Sequence, residues 1–392
     1  MEFKKSHILL LCINAFLGMA GGALLGPVLP EMLDPLNVTA GTAGLLMSVY
    51  ALSTALFTLV IGQFIDRVNR KTILVPCLVI YGLTGLISFF VTDFTLLLAL
   101  RFIQGCGVAG MMVLSLLIIG DVFKGSECAK PVSRVSISLA LGAVLAPLIG
   151  GGLALIGWNY PFLFYALSIP FALAVIVMLP ETRSRAIAHT QNGLSEAFSS
   201  LKDLRILYTL FMVFTVFFLL YAVIIYIPFL LKNEFGFGAG LSGLMLAFEG
   251  MAIMVLASRV HSLSTRFSVI RISIAGFAFA GLALLGISFV PPVFAIFLLL
   301  LLFGAGYGLA QTAIDIQIVQ VSPAHSRGSL LSIHTCLKFL GMSFSPVILG
   351  IVLFYSDFNT VFVISGILGL LLALITYGMK KRFENPQPSS EG

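Results

Sequence analysis

Stretches of about twenty apolar residues recur along the whole of this 392-residue chain and leave little sequence between them. They fall near residues 8–30, 41–61, 72–91, 94–120, 133–157, 160–179, 206–231, 240–260, 270–290, 292–321, 329–354 and 358–379. A helix needs roughly 20 apolar residues to cross a hydrocarbon core of about 30 Å. Twelve such runs with short connections predict an all-α membrane protein of twelve transmembrane helices and no sizeable soluble domain. The charge content agrees, since only 10% of the residues are Asp, Glu, Lys or Arg, whereas soluble domains run near a quarter. The N-terminal MEFKKSH precedes a run too long for a cleavable signal, so the first span is expected to be kept.

The longest polar connection, Pro180 to Arg205, divides the runs six from six. This predicts an N-terminal six-helix bundle over 1–180, a cytoplasmic linker over 181–205, a C-terminal six-helix bundle over 206–379 and a disordered cytoplasmic tail over 380–392. The halves repeat. AGTAGLLMSVYAL from Ala40 resembles AGLSGLMLAFEGM from Ala239, and LGAVLAPLIGG from Leu141 matches LGMSFSPVILG from Leu340. GCGVA from Gly105 pairs with GYGLA from Gly306, and Pro27 with Pro228. Four matches at nearly constant offset point to two pseudo-symmetric bundles facing a central path, with the binding site near the midplane.

The net charge is +6, but the bases lie between spans and form no basic face for nucleic acid. Lys4 and Lys5 precede the first span, and the even-to-odd connections carry Arg67, Arg70, Lys71, Lys130, Arg134, Arg259 and Arg266 among others. The opposite connections hold one base, Lys232. The positive-inside rule therefore places both termini in the cytoplasm of a cell (inner or plasma) membrane protein.

Five cysteines occur without CxxC pairs or His partners, and no metal-ligand spacing or phosphate-binding GxxxxGK[ST] is present. No cofactor or metal is expected, and any pumping must draw on an ion gradient or a partner. An intramembrane enzyme would need a nucleophile–base or metal set at membrane depth; His334 stands alone, so the chain is read as no enzyme.

Four charges remain inside apolar runs: Arg101, Glu249, Asp315 and Lys338, in the fourth, eighth, tenth and eleventh. A charge at a helix centre costs on the order of 3 kcal/mol on insertion scales, so each must face a partner or water. The third, sixth, ninth and twelfth runs carry no charge between their ends, as helices facing lipid should. Asp315 shares a helix face with Gln311, and Lys338 with His334, by four-residue spacing. Desolvation disfavours the charged form of a carboxylate, so Glu249 and Asp315 are candidate proton carriers. Lys338 would bind an anionic group of the substrate or hold one acid ionised until substrate arrives. Arg101, Gln311, Tyr50, Tyr221, Tyr226 and Tyr307 complete the candidate substrate-binding set, the tyrosines as an aromatic lining. The plain alternatives are that Lys338 pairs with Glu249 or Asp315 to hold its helix, and that Arg101 is a structural hydrogen-bond hub.

GQFIDRVNRKTIL from Gly62 closely resembles motif A of the major facilitator superfamily, with Gly62, Asp66, Arg67, Arg70 and Lys71 matching and Phe64 and Asn69 departing. Physically, Gly62 would let two helices approach closely, and Asp66 could meet the N-terminus of the eleventh span. The resemblance implies a gate in which this turn, with Asp121 taking a basic partner, holds the cytoplasmic side shut. RFIQGCGVAG from Arg101 looks like motif B of that family. GAVLAPLIGG from Gly142 resembles motif C, the antiporter motif of its drug-efflux members, matching at Gly142, Pro147, Gly150 and Gly151 with Ala146 in place of a usual Gly. Pro kinks a helix and Gly permits close contact. The resemblance implies a twelve-span drug:proton antiporter that exports a small organic molecule by alternating access, with a small-molecule substrate, protons and the bilayer as partners, acting as a monomer. The second reading, motivated by Lys338, is a dedicated exporter of an anionic or zwitterionic metabolite such as a siderophore or metallophore.

Overall fold

The computed structural model describes residues 3–64, 68–123, 125–182, 200–323 and 326–384. Among them are twelve helices long and apolar enough to cross a membrane: α1 Lys5–Ala23, α2 Ala40–Gly62, α3 Arg70–Ser88, α4 Phe94–Val122, α5 Lys130–Ala154, α6 Pro161–Met178, α7 Leu204–Phe235, α8 Ala239–Ser264, α9 Val269–Ile287, α10 Val293–Val321, α11 Arg327–Tyr355 and α12 Phe358–Glu384. No strand occurs among the described residues. Each expected run has its helix, and the all-α, twelve-span class is borne out.

Two runs end elsewhere than expected. The first apolar run is continuous over 8–30, but α1 stops at Ala23 and the chain turns through a 3-10 segment, Gly26–Glu31. Pro27 and Pro30 lie in that segment; each lacks an amide hydrogen and its ring blocks the preceding helical turn. At the other end α12 runs to Glu384, past the expected boundary at 379. There the Glu384 carboxylate accepts hydrogen bonds from Arg271 Nε at 2.9 Å and Ser268 Oγ at 2.6 Å. Most of the expected linker, 183–199, and the end of the tail, 385–392, lie outside the described residues.

The chain forms two compact units. The first comprises 1–189 with 224–247 and 342–351; the second comprises 190–223, 248–341 and 352–392. In the first unit α4 packs on α2 and α3, α1 on α5 and α4, and α3 on α6. Asn14, fully buried in α1, ties that helix to α4 by donating to Met111 O at 2.8 Å and Ser115 Oγ at 2.7 Å. The same unit takes in ends of α7, α8 and α11. Gly41 and Gly350 let α2 and α11 touch backbone to backbone: a Cβ on Gly350 would stand 2.7 Å from Gly41 O. Beside them Ser48 Oγ donates to Ser343 O at 2.6 Å. In the second unit α9 packs on α10 and α12. Ile206, Leu210, Ile318 and Leu330 form one apolar core there, and Val260, Ile272, Leu309 and Ala313 another.

Candidate functional site

In the second unit the two four-residue spacings of α10 and α11 meet. Lys338 Nζ lies 2.8 Å from Asp315 Oδ1, and Gln311 Nε2 donates to the other carboxylate oxygen. His334 Nε2 stands 3.4 Å from Asp315 Oδ1 without hydrogen-bonding geometry. Lys338 also sits 5.5 Å above the ring of Phe217 on α7, within cation–π range. Phe217 packs edge-on against Tyr307 at 5.7 Å, and Tyr307 stacks near Phe303 at 6.4 Å. The Asp315 side chain is 34% exposed and that of Lys338 20%, so this charged cluster is not sealed inside the protein.

Glu249 is the contrasting acid. It is 3% exposed, and its Oε1 meets no hydrogen-bond donor among the described residues. Its helix presses on α10, where a Cβ added to Gly304 would lie 2.5 Å from Glu249 O. Asp315 thus has a cation within bonding distance, whereas Glu249 has no ion-pair partner among the described residues. Tyr221, also in the second unit, is buried, as is Tyr307.

Arg101, Tyr50 and Tyr226 belong to the first unit. Arg101 is wholly buried. Its Nη1 donates to Gln104 Oε1 at 2.6 Å, its Nε to Leu46 O at 3.2 Å and its Nη2 to Gly21 O at 3.5 Å. The guanidinium lies 4.2 Å from the Tyr50 ring centroid and 5.7 Å from that of Tyr165. This is a closed hub joining α1, α2 and α4 and favours the second of the two readings of Arg101. Tyr226 is fully buried and donates to Pro346 O at 3.3 Å.

Of the expected gate, Asp66 and Arg67 lie outside the described residues. Arg70 is 1% exposed and forks onto Asp121, Nε to Oδ2 at 2.7 Å and Nη2 to Oδ1 at 3.4 Å. Lys71 caps α6 by donating to Ile176 O and, at 3.0 Å, to Leu179 O, where the free carbonyls of a helix end attract a cation. Gly62 contributes no close approach in this structure, because a Cβ there would meet nothing within 4 Å.

Gly142, Pro147, Gly150 and Gly151 hold α5 between two neighbours of the first unit. A Cβ on Gly142 would stand 2.8 Å from Phe16 O; one on Gly150 would collide with Leu24 O, and one on Gly151 with Ala239 O. The Pro147 carbonyl occupies the space beside Gly243 in the same way. Motif C is therefore a contact surface for the end of α1 and the start of α8.

Three participants escaped the sequence reading. Phe217 beneath Lys338 has one usable signal, its four-residue spacing from Tyr221. Asn14 is a lone polar residue in the first apolar run. Lys232 was counted only for topology, yet its Nζ binds Glu31 Oε2 at 2.8 Å and Pro30 O at 2.9 Å; its being the sole base on its side was the available clue.

The "Bacillibactin exporter" of Bacillus subtilis (strain 168) is 29% identical to this chain, across 93% of it and 94% of its own length. The "Multidrug resistance protein MdtG" of Escherichia fergusonii is 23% identical across 98% of this chain and 96% of its own. The crystal structure of a bacterial homolog to the human lysosomal transporter Spinster, inward-facing and unoccupied, superposes with a TM-score of 0.83 over 98% of both chains at 16% identity, a likeness of fold. The sequence model of the Major Facilitator Superfamily matches residues 11–346 and, overlapping them, 262–392. With nearly the whole chain covered and twelve membrane-spanning helices in place, the protein is a multi-pass membrane transporter that belongs to the Major Facilitator Superfamily.

Proposed function

We propose that this transporter exports a small organic molecule from the cell in exchange for protons, with both termini in the cytoplasm. The observation that carries the reading is the unequal treatment of two acids in one bundle. Asp315 is paired with Lys338 and partly exposed, whereas Glu249 is buried with an oxygen that meets no donor among the described residues. An ion at membrane depth needs a partner or water. Glu249 therefore holds a proton while dry and releases it when water enters. Asp315 exchanges its bond to Lys338 for a proton or for substrate. The exporter and the multidrug resistance protein among the full-length relatives support export, and the bases on the side of both termini support the orientation.

The test is proton release in everted vesicles, read by a pH-sensitive dye while candidate compounds are added. Wild-type protein should collapse an imposed proton gradient with its substrate; Glu249→Gln and Asp315→Asn should not, while remaining folded. Full exchange by both single variants would end the proton-carrier reading.

A second reading is export of an anionic or zwitterionic metabolite, such as a siderophore or metallophore. It is favoured by the partly exposed Lys338, a poor neighbour for hydrophobic cations, and by the exporter among the full-length relatives. Lys338→Ala separates the two: it abolishes export of an anion and leaves most cation export intact.

A further inference from the structure

Between the first turns of α1 and α5, in the first unit, lies a cleft of about 390 Å³ lined by Lys5, Ile8, Leu9, Cys12, Arg134, Ile137 and Ser138. Its chemistry is divided along its length. Lys5 and Arg134, both exposed, stand at the mouth, at the ends of their helices. Leu9 at 60% and Ile137 at 55% exposure continue the walls toward mid-helix, with Ile8 buried behind them. Apolar side chains so exposed on membrane-spanning helices suit contact with acyl chains. Among the described residues neither base has an acidic partner, whereas Arg70 pairs with Asp121 and Arg271 with Glu384. Two free cations above an apolar furrow match one amphiphile: a negative headgroup at the level of the bases and hydrocarbon below it.

We propose that this cleft is a binding site for an anionic phospholipid of the surrounding bilayer. Its phosphodiester lies between Lys5 and Arg134, and the first part of an acyl chain runs along Leu9 and Ile137. The volume has room for roughly a dozen non-hydrogen groups at about 30 Å³ each, the size of a phosphoglycerol group and its first methylenes. Basic pockets between membrane helices hold anionic headgroups in this way, and each base near the surface adds to the attraction. Arg134 supplies a planar fork suited to two phosphate oxygens, and Lys5 a mobile point charge. The inference rests on the membrane-spanning fold alone and stands whatever the transported molecule is.

The test is native mass spectrometry of the detergent-purified full chain, titrated with phosphatidylglycerol or phosphatidylcholine. Wild-type protein should retain one phosphatidylglycerol more tightly than the rest and show no such preference for phosphatidylcholine. The double variant Lys5→Gln/Arg134→Gln should weaken that molecule about thirty-fold, the effect of two bases at a membrane surface. Arg259→Gln/Arg266→Gln removes the same charge from exposed bases of α8 and the connection after it, outside the cleft, and should leave the tight lipid in place. Equal loss in both double variants would overturn the site, as would displacement of the lipid by millimolar inorganic phosphate. A second measurement keeps Lys5 and Arg134 intact. A tryptophan introduced by Ile137→Trp, with the single native tryptophan removed by Trp158→Phe, should be quenched more by brominated phosphatidylglycerol than by brominated phosphatidylcholine at equal mole fraction in vesicles. Equal quenching would refute the preference.

Discussion

At the scale of single residues, the second unit sets one acid against another. Asp315 is paired with Lys338 at 2.8 Å, so Lys338→Ala removes that partner and leaves a carboxylate one-third exposed. Water then covers part of the loss, and the cost to stability should be about 1 kcal/mol, nearer the exposed-pair value than that of a buried pair. Thermal unfolding in detergent should register this small shift, while substrate export separates the anion and cation readings. Glu249→Gln keeps shape and removes only the ability to carry a proton. Proton-driven export should fall at least tenfold with the melting temperature unchanged; unchanged export in everted vesicles would eliminate Glu249 as carrier. Arg101 gives a third case, since its planar donors fork toward Gln104 and two carbonyls. Arg101→Lys preserves charge but cannot reproduce that fork, so stability should drop by about 2 kcal/mol, seen as earlier unfolding at unaltered substrate affinity. The four-residue spacings within α10 and α11 were legible from sequence, as was the need of each charge for company. That the two faces converge on Asp315 was not, because spacing within a helix says nothing about which neighbour it meets. Phe217 was hidden for another reason: in a chain with 34 phenylalanines, one more at helical spacing is indistinguishable from packing.

At the scale of elements, apolar length announced every helix, but helix ends follow backbone chemistry. Hydropathy ran through Pro27 and Pro30 without a break, and the helix did not. The start of α7 shows the opposite kind of end, fixed by charge. Asp203 accepts from the Arg205 amide at 2.8 Å and from its guanidinium at 2.7 Å. Burial pushes the Asp203 carboxyl up, but the hydrogen bonds and charge of Arg205 outweigh it and hold the group below the usual carboxylate range. A carboxyl lowered in the folded state stabilises it above its ordinary value near 4, and the gain disappears as pH falls through the lowered value. Asp203→Asn should therefore cost about 0.5 kcal/mol at pH 7, and the difference from wild type should vanish in strong acid; melting curves of both proteins across pH check it. In α5 the glycines decide. Gly151→Val places a branched side chain where Ala239 O already sits, and overpacking of this kind costs typically 1–3 kcal/mol. Export should fail more completely than that destabilisation explains, because the contact between α5 and the start of α8 cannot form; normal export by a folded Gly151→Val protein would deny that contact a role.

At the scale of the whole molecule, alternating access requires that contacts closing one side be weak enough to break in every cycle. The first unit contains contacts of that weak kind, joining α2 to α11 and α7 to the Gly26–Glu31 segment: backbone contact between Gly41 and Gly350, the bond from Ser48 to Ser343, and the pair of Lys232 with Glu31 at 2.8 Å. The ionic member is a third exposed on each side and is worth no more than about 1 kcal/mol. Lys232→Gln should therefore shift the balance of states by about fivefold at most and slow export only modestly. A covalent tie at the same place is a different matter, since no population of the opened state survives it. A short bifunctional thiosulfonate joining Glu31→Cys to Lys232→Cys, in a background with the five native cysteines replaced by Ala, provides the tie. Export should fall at least tenfold on cross-linking and return on reduction, with neither single cysteine variant affected. Export that continues after quantitative cross-linking would mean that this end of α7 stays on the Gly26–Glu31 segment throughout the cycle. The opening on that side would then have to be sought elsewhere, where Gly41 meets Gly350.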